Sequence, residues 1–300
     1  MKPPYVSIVI VGRNDDYGQD FGTRINTFVR SLDHQVAQHP GVFELLVVEW
    51  NPEPNHPGLD ALIQPSKNFP VRIITVPREV HAELGASQSF LEFHGKNTGV
   101  RRARGEFVLV TNPDVLFTQQ LIDSIAAKKL RLDTVYRTDR FDFNGQGIET
   151  VAAADLIDFA LSRVFVMHGL VDTASVSYAI ETPPKSLEKL PKSRVIEPYM
   201  HTNACGDFVL ASRENFYTIR GFYETTEHRW HVDSISLMRF HHAKIRQHVW
   251  LAPLCIFHHD HRRGDPDKDF GSIDWTKLYS MKAPTTWGLA GIDLPEKELS

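Results

Sequence analysis

The sequence predicts an α/β protein built on an open sheet, and three observations carry that expectation. Four short apolar runs, Val6 to Val11, Phe43 to Val48, Val71 to Val76 and Phe107 to Val110, are nearly continuous rather than alternating. Strands buried on both faces of a parallel sheet read this way. Between the first two runs, Thr23 to Gln38 places Ile25, Phe28, Val29, Leu32 and Val36 at a 3.6-residue period that ends before Pro40, so the unit is βαβ. Finally, 300 residues with 42% hydrophobic and 23% charged content can bury a sizeable core. That composition excludes a disordered tail, a collagen-like rod and a small disulfide scaffold.

Taken in order, Val6 to Val11 is too short for a membrane span and is followed at once by Gly12, Arg13, Asn14, Asp15 and Asp16. It reads as a strand, not a signal peptide. A helical segment near Asn97 to Arg104 precedes the fourth strand, and another, Gln119 to Leu130, follows it. Thr182 to Pro198 holds four prolines with lysines and Arg194 between them, which breaks regular structure and suits a mobile loop or lid. Beyond it the pattern predicts a strand over Gly206 to Ala211, helices over Arg213 to Ile219 and Asp233 to His242, and a strand over Arg246 to Leu251. Ile256 to Arg263 reads as a His-rich loop, and Trp275, Tyr279 and Trp287 as an apolar C-terminal wrap.

Lys plus Arg number 33 and Asp plus Glu 37, a net charge of −4, so no general pull toward nucleic acid or an anionic membrane is expected. Cys205 and Cys255 have no C-x-x-C spacing and read as buried thiols of a reduced, cytoplasmic compartment. No segment is apolar and long enough for an integral membrane anchor; peripheral contact is left to the basic stretch Lys185 to Arg194. Of 15 histidines, nine fall at or after position 201.

Open α/β sheets bind ligands at the carboxyl ends of their strands, which directs attention to three constellations. Asn112-Pro113-Asp114 follows the fourth strand: a carboxylate there suits a divalent cation bridging phosphate oxygens, although Asn-Pro-Asp is also an ordinary turn. Gly206-Asp207, Arg220 to Glu224 and His231-Val232-Asp233, with Arg239 six residues on, form the second. Asp233 at a helix start is suited to take a proton from a hydroxyl, or is simply a cap. The third is Phe257 to Arg263, where His258 and His261 are candidate ligands for Mn²⁺ or Zn²⁺ and Arg262 for phosphate, or where the chain forms a solvated loop. No H-E-x-x-H zinc hydrolase spacing accompanies it.

In this order and at these distances, the constellations resemble the nucleotide-sugar-dependent glycosyltransferases of the GT-A fold, particularly the inverting family 2 group. The most specific match is to N-x-G-x-x-x-A-x-G-E leading into a strand and an acidic motif, here Asn97 to Glu106, Phe107 to Val110, then Asn112-Pro113-Asp114. The resemblance runs from about Tyr5 to His261, with Asp133 to Met200 unaligned. It departs from the family at Asn112, which replaces the first aspartate of D-x-D, and at Val232, which replaces the glutamate of an E-D pair.

The resemblance implies a GT-A-type, Rossmann-like open mixed sheet flanked by helices, with a nucleotide-sugar half at 1–130, an acceptor and catalytic half at 131–265 and a wrap at 266–300. It implies a UDP-linked donor, a Mn²⁺ or Mg²⁺ ion at Asp114 completed by His258 and His261, and Asp233 as general base. Val11, Arg13, Asn14, Glu49, Asn97 and Asn112 would position the nucleotide, Arg239 or Arg262 would meet phosphate, and Gly206 and Asp207 would border donor sugar and acceptor. The acceptor would be a glycan or glycolipid hydroxyl, with Tyr223, Trp230 and Trp250 as stacking candidates or core residues. Competing expectations are a catalytically silent nucleotide-sugar-binding module and a nucleotidyltransferase, the latter disfavoured because Gly12-Arg13-Asn14-Asp15 is too acidic for a phosphate-cradling loop.

Overall fold

The computed structural model describes residues 2–15, 18–172, 174–195, 200–226, 231–261 and 283–299. The chain order is β1 (Val6–Gly12), α1 (Phe21–Val36), β2 (Phe43–Trp50), α2 (Leu59–Leu62), β3 (Val71–Val76), α3 (Arg78–Glu83), α4 (Glu92–Arg102), β4 (Phe107–Val110), β5 (Val115–Phe117) and α5 (Gln119–Ala126). There follow β6 (Thr134–Thr138), β7 (Arg140–Phe143), α6 (Leu156–Leu161), β8 (Val164–Asp172), β9 (Ala174–Ala179) and β10 (Arg194–Val195). The chain continues with β11 (Val209–Ser212), α7 (Arg213–Ile219), α8 (Val232–His242), β12 (Arg246–Trp250), β13 (Ile256–His259) and β14 (Glu296–Leu299).

The described strands form two sheets. The larger has the order β12-β6-β11-β4-β1-β2-β3-β14. Its centre is parallel, with β11 antiparallel to both neighbours and β14 antiparallel to β3, so the sheet is mixed as expected. The continuous apolar runs are explained by burial on both sides. Val6, Ile8 and Ile10 pack with Ile25, Phe28 and Leu32 of α1 and with Leu121 and Ile125 of α5. Val9 and Val11 pack on the opposite face with Val100 of α4, Phe216 of α7 and Phe240 of α8. Burying each such side chain contributes about 1.5–3 kcal/mol. α4 approaches β1 closely because it carries glycine: a Cβ at Gly95 would stand 2.6 Å from Val11 Cγ1.

The second sheet, in the order β10-β8-β7-β13-β5 with β9 on β8, was not legible from the pattern. It occupies much of the stretch left unaligned and packs Phe141, Phe143, Met167 and Phe257 with Leu156 and Ala160 of α6. Ile256–His259 is therefore a strand rather than part of a loop, because it pairs on one side with β5 and on the other with β7. β11 likewise starts at Val209, not Gly206: Ala204 turns the chain at φ 47, and Cys205–Asp207 forms a 3-10 turn. Buried Arg137 holds that turn by donating to the carbonyls of Asn203 and Cys205. α4 begins at Glu92, ahead of the expected start, and α5 ends at Ala126, before Lys128 takes φ 56.

The proline-rich stretch carries more order than expected where it is described. Leu187–Lys189 is a 3-10 turn, Leu190 is buried, and both the main-chain N–H and Oγ of Ser193 donate to Asp139. Trp287 is buried, whereas Trp275, Tyr279 and Trp230 lie outside the described residues. Both cysteines are buried free thiols, and Trp250 stacks on Tyr136 at 4.8 Å.

Candidate active site

A cavity of about 400 Å³ opens where β1 and β4 end, the position that an open α/β sheet reserves for ligands. Val11, Arg13, Asn112 and Asp114 line it, as do Arg24 of α1, His94 of α4, and His258 and His261.

Asp114 is the centre of its wall. It precedes β5, and β13 runs antiparallel beside that strand, with the His259 N–H donating to the Asp114 carbonyl at 2.8 Å. The register places His258 opposite Val115 on one side and Asp142 of β7 on the other. One face of β13 thus presents His258 to Asp114 while Phe257 enters the core. His258 Nε2 lies 3.8 Å from Asp114 Oδ1, and His261 Nε2 lies 3.1 Å from Oδ2. Arg24 Nη1 donates to the same Oδ2 at 2.9 Å.

These groups set one another's charge. Burial alone would raise the Asp114 carboxyl, but nearby His258, the hydrogen bond from His261 and the Arg24 guanidinium hold it well below the usual carboxylate range. Burial pushes His258 down, and the neighbouring carboxylates of Asp114 and Asp142 more than compensate, so its affinity for a proton is raised. His94 has no such partner: burial pushes it down to about 4, leaving a neutral imidazole on the cavity wall.

Asp114, His258 and His261 fit a metal ion. One donor atom from each lies within 4.8 Å of the others. Asp114 Oδ1 is buried without a hydrogen-bond partner. Separations of 3.8 Å from His258 to Oδ1 and 3.1 Å from His261 to Oδ2 match neighbouring ligands about 2.1 Å from a shared ion if both carboxylate oxygens take part. Behind His258, Asp142 Oδ1 faces Nδ1 at 3.3 Å, the carboxylate support that orients a ligating imidazole. Arg140 links that support to Asp207, whose Oδ1 accepts from Asn112 Nδ2 at 2.6 Å. Asn112 therefore faces the buried charge network rather than joining the three candidate ligands.

Asp233 lies in the first turn of α8, next to the Cys205–Asp207 turn. Its Oδ2 accepts the Gly206 N–H at 2.7 Å, and its Oδ1 accepts the Ser234 N–H at 2.8 Å. The Gly206 carbonyl accepts from Lys96 Nζ at 2.9 Å, so this short turn is held from both sides. Asp233 does not cap the helix, whose N-cap is His231 at φ 61.

The other expected site residues are placed variously. Arg13 is in the cavity wall, but its guanidinium is committed to Asp15 and to the Ser89 carbonyl. Asn14 donates to the Pro57 carbonyl outside the lining. Glu49 accepts the Leu59 N–H at 2.8 Å and the Thr75 hydroxyl at 3.2 Å, with its affinity for a proton raised by burial. Its carboxylate serves α2 and β3 rather than the cavity. Asn97 is wholly buried and clamps the Phe222 N–H and carbonyl together with Glu224. Arg239 lies over the Tyr223 ring, away from the cavity, and Arg262 is outside the described residues. Sequence reasoning missed Arg24, Lys96, Asp142 and Arg140; the only signal was a charged residue on an otherwise apolar helix face or strand.

No protein-family model matches the chain, and no curated protein matches its sequence. Among solved structures, residues 1–349 of S. aureus TarS are similar in fold, with a TM-score of 0.51 at 14% identity over 85% of this chain and 60% of that one. The longer S. aureus TarS structure aligns at a TM-score of 0.48 with 14% identity, over 85% of this chain and 36% of that one. This chain thus spans less than two thirds of each TarS chain it resembles. Its fold is the GT-A-like mixed α/β architecture that the motifs imply.

Proposed function

We propose that the chain is a nucleotide-sugar-dependent glycosyltransferase that moves a sugar, with inversion, from a UDP-linked donor to an acceptor hydroxyl. The observation that carries the reading is the convergence of Asp114, His258 and His261 on the wall of the strand-end cavity. The GT-A-like fold, similar to that of residues 1–349 of S. aureus TarS, supports it. Residues 1–130 are the donor half and 131–265 the acceptor half.

Two imidazoles and one carboxylate favour Mn²⁺ over Mg²⁺, which prefers oxygen ligands. A divalent ion bound there supplies charge neutralisation for a departing diphosphate. Asp233 accepts the acceptor hydroxyl's proton, oriented by the N–H groups of Gly206 and Ser234. Lys96 fixes the Gly206 carbonyl and with it the turn that borders the sugar. The acceptor is a hydroxyl of a glycan or glycolipid. Among the described residues no helix is long and apolar enough to cross a membrane.

Calorimetric titration with UDP, GDP, CDP and dTDP, each with Mn²⁺ and with chelator, tests the proposal. We expect UDP to bind most tightly and to require Mn²⁺ for full affinity. Absence of binding by all four nucleotides overturns the reading.

A further inference from the structure

Arg24 lines the cavity and donates a hydrogen bond to Asp114, and its placement is not that of a structural ion pair alone. It is 3% exposed, projects from the first turn of α1 and lies over the Phe21 ring at 5.8 Å. Its Nη1 shares Asp114 Oδ2 with His261, at 2.9 and 3.1 Å. Gly18, at φ 72, brings the loop before α1 against both groups: a Cβ there would stand 2.6 Å from His261 Nδ1 and 2.8 Å from Arg24 Nη2. The guanidinium and the candidate metal ligands therefore share one carboxylate and one glycine floor.

A divalent ion on Asp114, His258 and His261 would stand beside a guanidinium that already neutralises the same carboxylate. Two cations at such separation in a buried site repel each other. A diphosphate relieves the conflict, because its oxygens give the planar fork of arginine a partner that it can bind bidentately. Linkage then makes metal and diphosphate mutually favourable ligands.

Resting on the reading of this cavity as a nucleotide-sugar site, we infer that Arg24 is the diphosphate ligand, and that without a divalent ion its guanidinium holds the ion's place on Asp114. Arg24 and the metal thus compete for the carboxylate. Arg239, one of the two arginines that the resemblance offered for phosphate, lies over Tyr223 instead.

The test is calorimetry on Arg24→Gln and Arg24→Lys with two probes, Mn²⁺ alone and UDP at saturating Mn²⁺, after circular dichroism confirms folding. Arg24→Gln is expected to bind Mn²⁺ about tenfold more tightly and UDP about tenfold more weakly than the unsubstituted chain, as loss of a charge-assisted pair implies. Arg24→Lys keeps the charge, so its Mn²⁺ affinity should stay unchanged while UDP affinity falls several-fold as the fork is lost. A purely structural Arg24 gives the opposite sign for the metal, since a loosened site binds Mn²⁺ less well. Unchanged or weaker Mn²⁺ binding by Arg24→Gln, or unchanged UDP binding, overturns the inference. If Arg24→Gln does not fold, unchanged UDP affinity in Arg24→Lys overturns it by itself. An unsubstituted chain that binds UDP with either variant unaltered defeats this inference alone, whereas one that binds no nucleoside diphosphate defeats the functional reading as well.

Discussion

Asp233 illustrates how a single carboxylate is prepared by its surroundings. Two main-chain N–H groups, from Gly206 and Ser234, fix both of its oxygens. Gly206 is suited to this position, since a Cβ there would stand 3.1 Å from Asp233 Oδ2. Asp233→Asn keeps the size and one acceptor oxygen but removes the group that takes the proton. Turnover should fall by about 10²–10⁴-fold, with UDP affinity unchanged because the carboxylate does not line the donor cavity. Steady-state rates and calorimetry on the same preparation check both halves, and undiminished turnover would sink the assignment.

Among the elements, α4 does the most positioning. Its glycines bring it onto β1, Lys96 reaches the Gly206 carbonyl, and Asn97 binds the turn after α7 through three hydrogen bonds to Phe222 and Glu224. Asn97→Ala would leave the Phe222 N–H and carbonyl buried without those partners, at a cost of about 2–3 kcal/mol. Urea unfolding should show that loss, while UDP affinity changes little. A large loss of nucleotide affinity at unchanged stability would instead restore the nucleotide-positioning role that the motif implied. β13 is the other decisive element, since its pairing between β5 and β7 brings His258 to Asp114 and Asp142 together.

Across the whole molecule, one edge of the large sheet is closed by a strand remote in sequence from its partner. β14 pairs with β3, and Glu296 binds the Arg72 guanidinium at 2.7 Å while buried Glu44 holds it from the other side. The Arg72 hydrogen bond holds the Glu296 carboxyl below its ordinary value of 4.5, against the opposing effect of partial burial. A carboxyl lowered in the folded state contributes stability above its unfolded value and loses it as pH falls through the folded one. Stability should therefore decline in acid below about pH 4.5, and Glu296→Gln should flatten part of that decline. Urea unfolding at a series of pH values measures it; an identical acid limb in the variant would show that the pair contributes nothing.

Several local features needed only the sequence. The strands β1 to β4, the helix α1 and the polar clusters at strand ends were legible because burial on both faces and a 3.6-residue period are properties of consecutive residues. Asp114, His258 and His261 were nameable for the same reason: each belongs to a short polar cluster of recognisable chemistry. Tertiary structure decided the rest. Ile256–His259 becomes a strand only because β5 and β7 flank it, and Asn97 and Glu49 turn inward because buried N–H groups of Phe222 and Leu59 need acceptors. Arg24 reaches Asp114 across 90 positions of chain. Periodicity reports which face of an element is buried, whereas the partners of a buried polar group are set by whatever the fold brings beside it, and those partners determine which charged residues meet in the cavity.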